Sequence, residues 1–331
     1  MRIKRRYMLL LSFILFLALV SPILYPKWSE RRRLKKIEEI RKEAVKQEGM
    51  ELKDALKLFE TENPSLIILF TGNTKGYLET CGCFEGQSGG VARRATVIKR
   101  LRKKTPILLV DAGGILQGDE PLDRLRTKVY LECMRKMGYD AICPEGDEID
   151  LLSKSSITLI SANVHTTGIV PSLIKRVGGV QIGILGLSKP EGTYSEEMLI
   201  TSLQGELSRL RKKADIVLLL SNLPVLEIRK VAEEVKGIDY IISSERGDQE
   251  KIDETYLLFS SPKGERLGFL AMKLPSMKTF SGSILLGDDV PDDQEIRAIL
   301  NRFYKTVAEE QGFQKSGELL TVRGNGYIGS E

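Results

Sequence analysis

Histidine is almost absent from this chain, which has a single one, His165, among 331 residues. One histidine cannot supply a site that needs several imidazoles, and it leaves Ser-His-Asp or Cys-His catalysis without a plausible base. We expect His165, within "SANVHTTG", to lie in an exposed loop. Aromatic residues make up only 6% of the chain. We find no basic patch interleaved with aromatics, so a nucleic-acid partner is not expected.

The positive charge is concentrated near the amino terminus. The net charge is +5, and "MRIKRR" and "KWSERRRLKK" hold much of the excess. Between them, "YMLLLSFILFLALVSPILY" carries no charge and approaches the ~20 residues that span a bilayer as a helix. No convincing signal-peptidase site follows it. We therefore predict an uncleaved membrane anchor over residues 1–26, and a charged stalk helix with a linker over residues 27–63.

From residue 64 to 290, apolar runs alternate with amphipathic segments. "SLIILFTG", "TPILLVDAGG" and "DIVLLLSNL" have the continuous hydrophobicity of strands buried on both faces. "SGGVARRATVIKRLRKK" places Val91, Ala95, Ile98 and Leu101 on one face of a helix. Repeated strand–helix–strand units predict a layered α/β domain.

The end of this region changes character. "VGGVQIGILGLS" predicts two strands joined at a Gly-Gly turn, and "TYLLFSSPKGERLGFLAMKL" has the spacing of a β-hairpin. Residues 291–331 are predicted to form a helix, with Ile296, Ile299 and Phe303 on its apolar face, followed by an extended Gly-rich tail.

The order of these segments resembles the calcineurin-like metallophosphatases, specifically the amino-terminal catalytic domain of bacterial 5'-nucleotidases and UDP-sugar hydrolases. "SGGVARRATVIKRLR", "ILLVDAGGILQGD", "MGYDAICPEGDEID", "LISANV" and "VQIGILGL" carry the resemblance together. It implies an α/β/β/α sandwich with two mixed sheets, and two metal ions that activate a hydroxide.

The family's metal ligands are expected to be lost. It binds metal through Asp-x-His, Gly-Asp, Gly-Asn-His-Glu, a further His and His-x-His. The matching positions here are Asn73, Lys75, Gly114, Gly146, Asp147, Asn222, Glu245 and Gly247. None of them is a histidine, and the ammonium of Lys75 repels cations. The resemblance therefore indicates a degenerate member with no metal at these positions.

The same loops also carry residues that are compatible with other chemistry. Asp111, Asp119, Asp147 and Glu148 stand near strand ends, where carboxylates form acid–base pairs or bind hard cations. "GQSGG" before Val91 offers backbone N–H groups to an anion, although Ser88 acting as a helix cap explains it more simply.

Cysteine is the remaining reactive residue type. Cys81 and Cys83, in "LETCGCF", resemble a Cys-Gly-Cys insert found in a subset of these phosphoesterases, and Cys143 ends the third strand. We predict that these three thiols form a redox-active or metal-binding cluster, with a plain structural disulfide as the alternative. Cys133, on an apolar helix, is predicted to be buried and structural.

The leading hypothesis is a membrane-anchored, catalytically degenerate binding or scaffold module. A hydrolase with an unconventional site and a thiol-based redox or metal-binding protein are the alternatives. The exported relatives imply a domain on the extracytoplasmic side. The terminal "GNGYIGSE" resembles the segment that precedes haem motifs in cytochrome-fused relatives. It implies a multihaem c-type cytochrome as a partner.

Overall fold

The computed structural model describes residues 49–81 and 87–310, without the side chains of Cys81 and Glu310. The predicted anchor, the stalk up to residue 48, Cys83 and the tail from residue 311 lie outside the described residues. Within these two ranges, no helix is long and apolar enough to cross a membrane.

Two mixed β-sheets form the centre of the domain. The seven-stranded sheet has the order β15 (Lys278–Leu285), β14 (Arg266–Lys273), β1 (Leu66–Thr71), β4 (Ile107–Asp111), β5 (Ala141–Ile142), β6 (Leu159–Ile160) and β7 (Ile169–Val170). The six-stranded sheet has the order β12 (Glu250–Ile252), β13 (Thr255–Phe259), β11 (Tyr240–Ser243), β10 (Ile216–Ser221), β9 (Val180–Leu187) and β8 (Ser172–Val177). A small ribbon pairs β2 (Thr80–Cys81) with β3 (Ser88–Gly89).

Helices cover the outer face of each sheet. The described helices are α1 (Leu52–Glu62), α2 (Val91–Arg102), α3 (Pro121–Met137), α4 (Ile149–Leu152), α5 (Glu196–Arg211), α6 (Val225–Glu234) and α7 (Gln294–Glu310). Helices α1, α2, α3 and α7 share an apolar core with the seven-stranded sheet, whereas α5 and α6 share one with the six-stranded sheet. A third core lies between the sheets. The predicted α/β/β/α sandwich with two mixed sheets is confirmed.

Continuous apolar runs became the central strands because both faces of each sheet are covered. All six residues of β1 and all six of β10 are buried. The strands β1 and β4 are parallel, as are β9, β10 and β11. Parallel strands end at the same edge of a sheet, so the loops that follow them are brought together there.

The predicted hairpin over residues 255–274 is wrong. Its first half is β13, which pairs with β11 and β12, while its second half is β14, which pairs with β1 and β15 in the other sheet. A 3-10 turn at Pro262–Gly264 carries the chain between the sheets. The two-strand prediction at Gly178 and Gly179 is correct, since β8 and β9 are antiparallel neighbours there.

The folded part begins before residue 64, the boundary that the sequence suggested. Leu52, Ala55 and Phe59 on α1 are buried, and the Phe59 ring meets Phe269 of β14 edge to face at a centroid distance of 5.0 Å. Met50 also bridges to Ile284 of β15. These contacts make residues 50–62 part of the sandwich rather than part of a free linker.

Candidate functional site

The loops after five parallel strands carry the positions that the sequence analysis predicted to be degenerate metal-site positions. Asn73 and Lys75 follow β1, Gly114 follows β4, Gly146 and Asp147 follow β5, Asn222 follows β10, and Glu245 and Gly247 follow β11. The loops after β1 and β4 are joined by two backbone hydrogen bonds: the N–H of Asn73 donates to Gly113 (2.6 Å) and the N–H of Lys75 donates to Gly114 (2.8 Å). The structure thus brings these positions to one edge of the sandwich.

An ion pair lies at the positions predicted to match the family's first metal ligands. Lys75 Nζ is 3.9 Å from Glu145 Oε2, and both side chains are partly exposed. Asn73 and Lys75 have φ angles of 51° and 48°, in the left-handed region that costs a non-glycine residue about 1 kcal/mol. The backbone hydrogen bonds to the β4 loop hold both residues in this conformation.

Gly114 leaves no room for the aspartate that the family has at this position. It has a φ angle of +76°, and a Cβ atom added there would lie 2.9 Å from Asn73 Cα and 3.1 Å from Glu145 Oε1. The Glu145 carboxylate therefore lies beside the place where the family's aspartate side chain would begin. Burial raises the pKa of Glu145, and the neighbouring ammonium of Lys75 partly offsets this effect.

The short turn after β5 is organised by Glu148. Its Oε1 accepts from the N–H groups of Ile115 and Leu116, the latter at 2.7 Å, and its Oε2 accepts from the N–H of Glu145 at 3.0 Å. Burial and the nearby charge of Glu145 raise the pKa of Glu148 to about 8, although the N–H donors favour the ionised form. Glu148 therefore joins the β4 and β5 loops and does not face an open site.

Gly146 and Asp147 belong to the 3-10 turn Gly146–Glu148. A Cβ atom on Gly146 would lie 2.8 Å from Glu191 Cγ, so the chain after β9 packs against this residue. Asp147 is exposed. Among the described residues, the hydrogen-bond partners of Asn222 are Lys189, Ala112 and Cys143, and neither Gly146 nor Asp147 is one of them.

Asn222 is a buried structural link between four loops. Its Nδ2 donates to the carbonyls of Ala112 (3.2 Å) and Cys143 (3.0 Å), and its Oδ1 accepts from the N–H of Lys189 (2.6 Å). It is only 1% exposed. Both ends of the amide are engaged in holding loops from the two sheets together.

The last pair of positions, Glu245 and Gly247, lies in the loop that follows β11. Glu245 is half-buried, and its N–H donates to Ser243 Oγ at 3.1 Å. A Cβ atom on Gly247 would lie 2.6 Å from Cε1 of Phe259. A larger side chain at Gly247 thus collides with the Phe259 ring.

A dinuclear metal centre of the kind that the family implies does not fit these residues. Lys75 places an ammonium at one ligand position, Glu145 fills the space beside Gly114, and the Asn222 amide is committed to backbone groups. Among the residues that the structure describes, no group of three or more His, Cys, Asp or Glu side chains is arranged to hold a metal ion.

The alternative carboxylate site does not assemble either in the described part of the chain. Asp111 is buried, with Oδ2 accepting from Thr71 Oγ1 (2.5 Å) and Oδ1 from the N–H of Gly113 (2.8 Å). Burial raises its pKa. Asp119 lies at the surface and pairs with Arg124 at 2.9 Å. These carboxylates serve separate local structures, as Glu148 does.

The cysteines have contrasting environments. Cys143 is fully buried between the sheets, 3.6 Å from Ser188 Oγ, and burial raises the pKa of its thiol to about 12. Cys133 is also buried, as predicted. Because Cys83 and the side chain of Cys81 lie outside the described residues, the cluster of Cys81, Cys83 and Cys143 stays a prediction.

Two smaller predictions have clear outcomes. His165 is an exposed loop residue, as expected. Ser88 does not cap α2, because it pairs with Cys81 in the β-ribbon, while Gly90 is the N-cap and offers no side chain.

Glu145 and Lys189 were not among the predicted site residues. Glu145 precedes the matched positions Gly146 and Asp147, and its acidic side chain stands at the position of the family's first glycine in Gly-Asn-His-Glu; this difference was a usable signal. Lys189, whose charge lowers the pKa of Glu145, is contributed by the loop after β9. Nothing in the local sequence of Lys189 distinguishes it from an ordinary surface lysine.

The four-layer sandwich, with its loops converging at one edge, is a metallophosphatase-like fold. No family model matches the chain. It is 26% identical over 273 residues to the snake venom 5'-nucleotidase of Crotalus adamanteus, covering 65% of this chain and 46% of that protein. It is 25% identical over 291 residues to the 5'-nucleotidase of Bos taurus, covering 70% and 50%. The chain thus spans about half the length of these curated relatives.

Solved structures give the same fold. The 5'-nucleotidase precursor from Thermus thermophilus superposes with a TM-score of 0.64 at 20% identity, covering 74% of this chain and 59% of that one. The sulfate thiohydrolase SoxB of the same organism superposes with a TM-score of 0.63 at 16% identity, covering 74% and 61%. Together, the sequence and structural similarities support a calcineurin-like 5'-nucleotidase domain, and the resemblance seen in the sequence is confirmed.

Proposed function

We propose that this protein is a non-catalytic member of the 5'-nucleotidase group that acts as a binding or scaffold module. The observation that carries the proposal is the Lys75–Glu145 ion pair beside Gly114, at the positions where the family has metal ligands. Because the ammonium of Lys75 balances the carboxylate of Glu145, no metal cation is needed there to balance the charge. The hydrogen-bonded amide of Asn222 supports the same conclusion, because it has a structural role.

Hydrolysis and metal content test this proposal together. The purified full-length chain, loaded with Zn²⁺ or Mn²⁺, is expected to release neither phosphate from AMP nor UMP and glucose 1-phosphate from UDP-glucose above background. A snake venom 5'-nucleotidase serves as the positive control. Mass spectrometry is expected to find less than one equivalent of metal per chain. Metal-dependent hydrolysis well above background would overturn the proposal in favour of a hydrolase with an unconventional site.

Restoring two of the lost ligands is a sharper version of the same test. The Asn73→Asp, Lys75→His variant regains the Asp-x-His pair and removes the ammonium. It is expected to remain inactive, because Gly114 has no side-chain ligand atom and no space for one, and Asn222 Oδ1 already accepts from the N–H of Lys189. Turnover by this variant would show that the edge retains a usable metal site.

We further propose that residues 1–26 anchor the chain in the cell membrane with the domain on the extracytoplasmic side. The uncharged run between two basic segments supports an anchor, and the exported relatives support the orientation. Protease added to intact spheroplasts is expected to degrade the domain. A protected domain would contradict the orientation, and a mature amino terminus near residue 21 would contradict the uncleaved anchor.

A multihaem c-type cytochrome is the proposed partner. The support is the resemblance of "GNGYIGSE" to the segment before the haem motifs of cytochrome-fused relatives. Affinity purification of the full chain from its own membranes is expected to retain a haem-staining protein, and deletion of residues 324–331 is expected to release it. Purification without any haem protein would count against this partner.

A further inference from the structure

The buried side-chain atoms without a hydrogen-bond partner belong to three residues in the described part of the chain. Within residues 49–81 and 87–310, these atoms are Thr74 Oγ1, Arg94 Nε, Arg94 Nη2 and Ser261 Oγ. Thr74 and Arg94 are both 0% exposed. Native proteins leave few buried polar atoms unsatisfied, and an unobserved water or ion is a common explanation when they do.

Contacts place Thr74 and Arg94 around the same point, and Ser261 is close to it along the chain. A Cβ atom on Gly264 would collide with Arg94 Nη2 and would lie 3.7 Å from Thr74 Cγ2, so both side chains border Gly264. Ser261 stands just before the Pro262–Gly264 turn. The N–H of Lys263 donates to the carbonyl of Asn73 at 2.9 Å, which joins this turn to the residue before Thr74.

The rest of the Arg94 guanidinium has only neutral partners. Its Nη1 donates to the hydroxyls of Tyr130 (2.5 Å) and Tyr139 (3.4 Å). Arg94 makes no hydrogen bond to the carboxylate of Asp111 and is linked to it only through Tyr139 and Thr71, although the positive charge of Arg94 partly offsets the effect of burial, which raises the pKa of Asp111. A buried cation is unfavourable without a compensating anion.

We propose that a small monovalent anion of the size of chloride binds between Arg94, Thr74 and Ser261, beneath the loop that carries Asn73 and Lys75. Guanidinium nitrogens donate only, and both hydroxyls are able to donate, so the ligand must be an acceptor. Its negative charge neutralises the guanidinium. By bridging Thr74 and Ser261, the anion fastens the loop after β1 to the crossover between the two sheets.

Thermal unfolding of the full-length chain at constant ionic strength tests the site. Replacing gluconate, which is too large, with chloride or bromide is expected to raise Tm by roughly 2 to 4 °C once the halide exceeds its Kd about tenfold. Thr74→Val is expected to reduce this halide-dependent shift by at least half. The control Thr96→Val is expected to keep the full shift, because the Thr96 hydroxyl bonds to the Ala92 carbonyl (3.5 Å) in its own helix.

Ser261→Ala provides a second variant in case Thr74→Val does not fold, and it is expected to weaken the halide effect in the same direction. In crystals grown with bromide, an anomalous peak is expected within hydrogen-bond distance of Arg94 Nε or Nη2. Equal Tm values in gluconate, chloride and bromide would overturn the proposal. Electron density at that position without an anomalous signal in the bromide crystals, which would identify a water molecule, would also overturn the proposal.

Discussion

Replacing Gly114 with aspartate tests whether the edge can still accept the family's residue. The φ angle of +76° at Gly114 costs any non-glycine residue about 1 kcal/mol. The new Cβ atom, 2.9 Å from Asn73 Cα, adds about 1–3 kcal/mol of overpacking. A second carboxylate beside Glu145 adds about 1 kcal/mol of repulsion at a partly exposed site. We therefore expect Gly114→Asp to lower the free energy of unfolding by about 3–5 kcal/mol.

Gly192→Asp is a matched control for the backbone contribution. Gly192 has almost the same φ angle, +75°, but a Cβ atom there would meet no heavy atom within 4 Å. This control is expected to cost about 1 kcal/mol, measured by urea unfolding of the full-length chain followed by circular dichroism. Adding Glu145→Ala to Gly114→Asp is expected to recover about 1 kcal/mol or more. Equal costs for the two glycine variants would refute the conclusion that Glu145 and Asn73 close this position.

Three further predictions concern stability and reactivity. Asn222→Ala is expected to cost about 2–4 kcal/mol in urea unfolding, because it leaves buried backbone groups without partners, whereas Asn301→Ala on the exposed face of α7 is expected to stay within about 0.5 kcal/mol. Burial raises the pKa of Glu148 to about 8. The contribution of Glu148 to the free energy of unfolding is therefore fully present below pH 4.5 and is lost as the pH rises through 8. The loss amounts to up to about 5 kcal/mol. Glu148→Gln is expected to flatten this part of the curve of stability against pH. Cys133 and Cys143 are expected to react with a thiol reagent only after denaturation, because burial raises the pKa of each thiol to about 12; rapid reaction of either in the native chain would contradict its burial.

The fold could be predicted from local patterns because most of its elements bury a regular apolar face. The runs that became β1, β4 and β10 are hydrophobic at nearly every position, which is characteristic of strands covered on both sides. The helix face with Ile296, Ile299 and Phe303 was visible in the same way. The hairpin at residues 255–274 failed for a physical reason: turn spacing does not reveal whether two consecutive strands join the same sheet or different sheets.

The candidate site was predictable in its positions but not in its contacts. The order of the strands places Asn73, Gly114 and Asn222 after parallel strands, so their convergence follows from the topology. Glu145 was missed because its role depends on a distant neighbour earlier in the chain, Lys75, and on the absence of a side chain at Gly114. This arrangement depends on the loops after β1, β4 and β5 together, and none of them shows it alone.

By itself, the sequence determined the class of fold and the shortage of histidine, because hydrophobic periodicity and composition are properties of the chain before it folds. Only the tertiary structure decided which contacts form at the edge where the loops converge. The Lys75–Glu145 ion pair, the hydrogen bonds of Asn222 to three backbone groups, and the two unsatisfied nitrogens of Arg94 all depend on which distant segments pack together. Charge and hydrogen-bond partners act over a few ångströms, whereas these residues are separated by tens of positions along the chain.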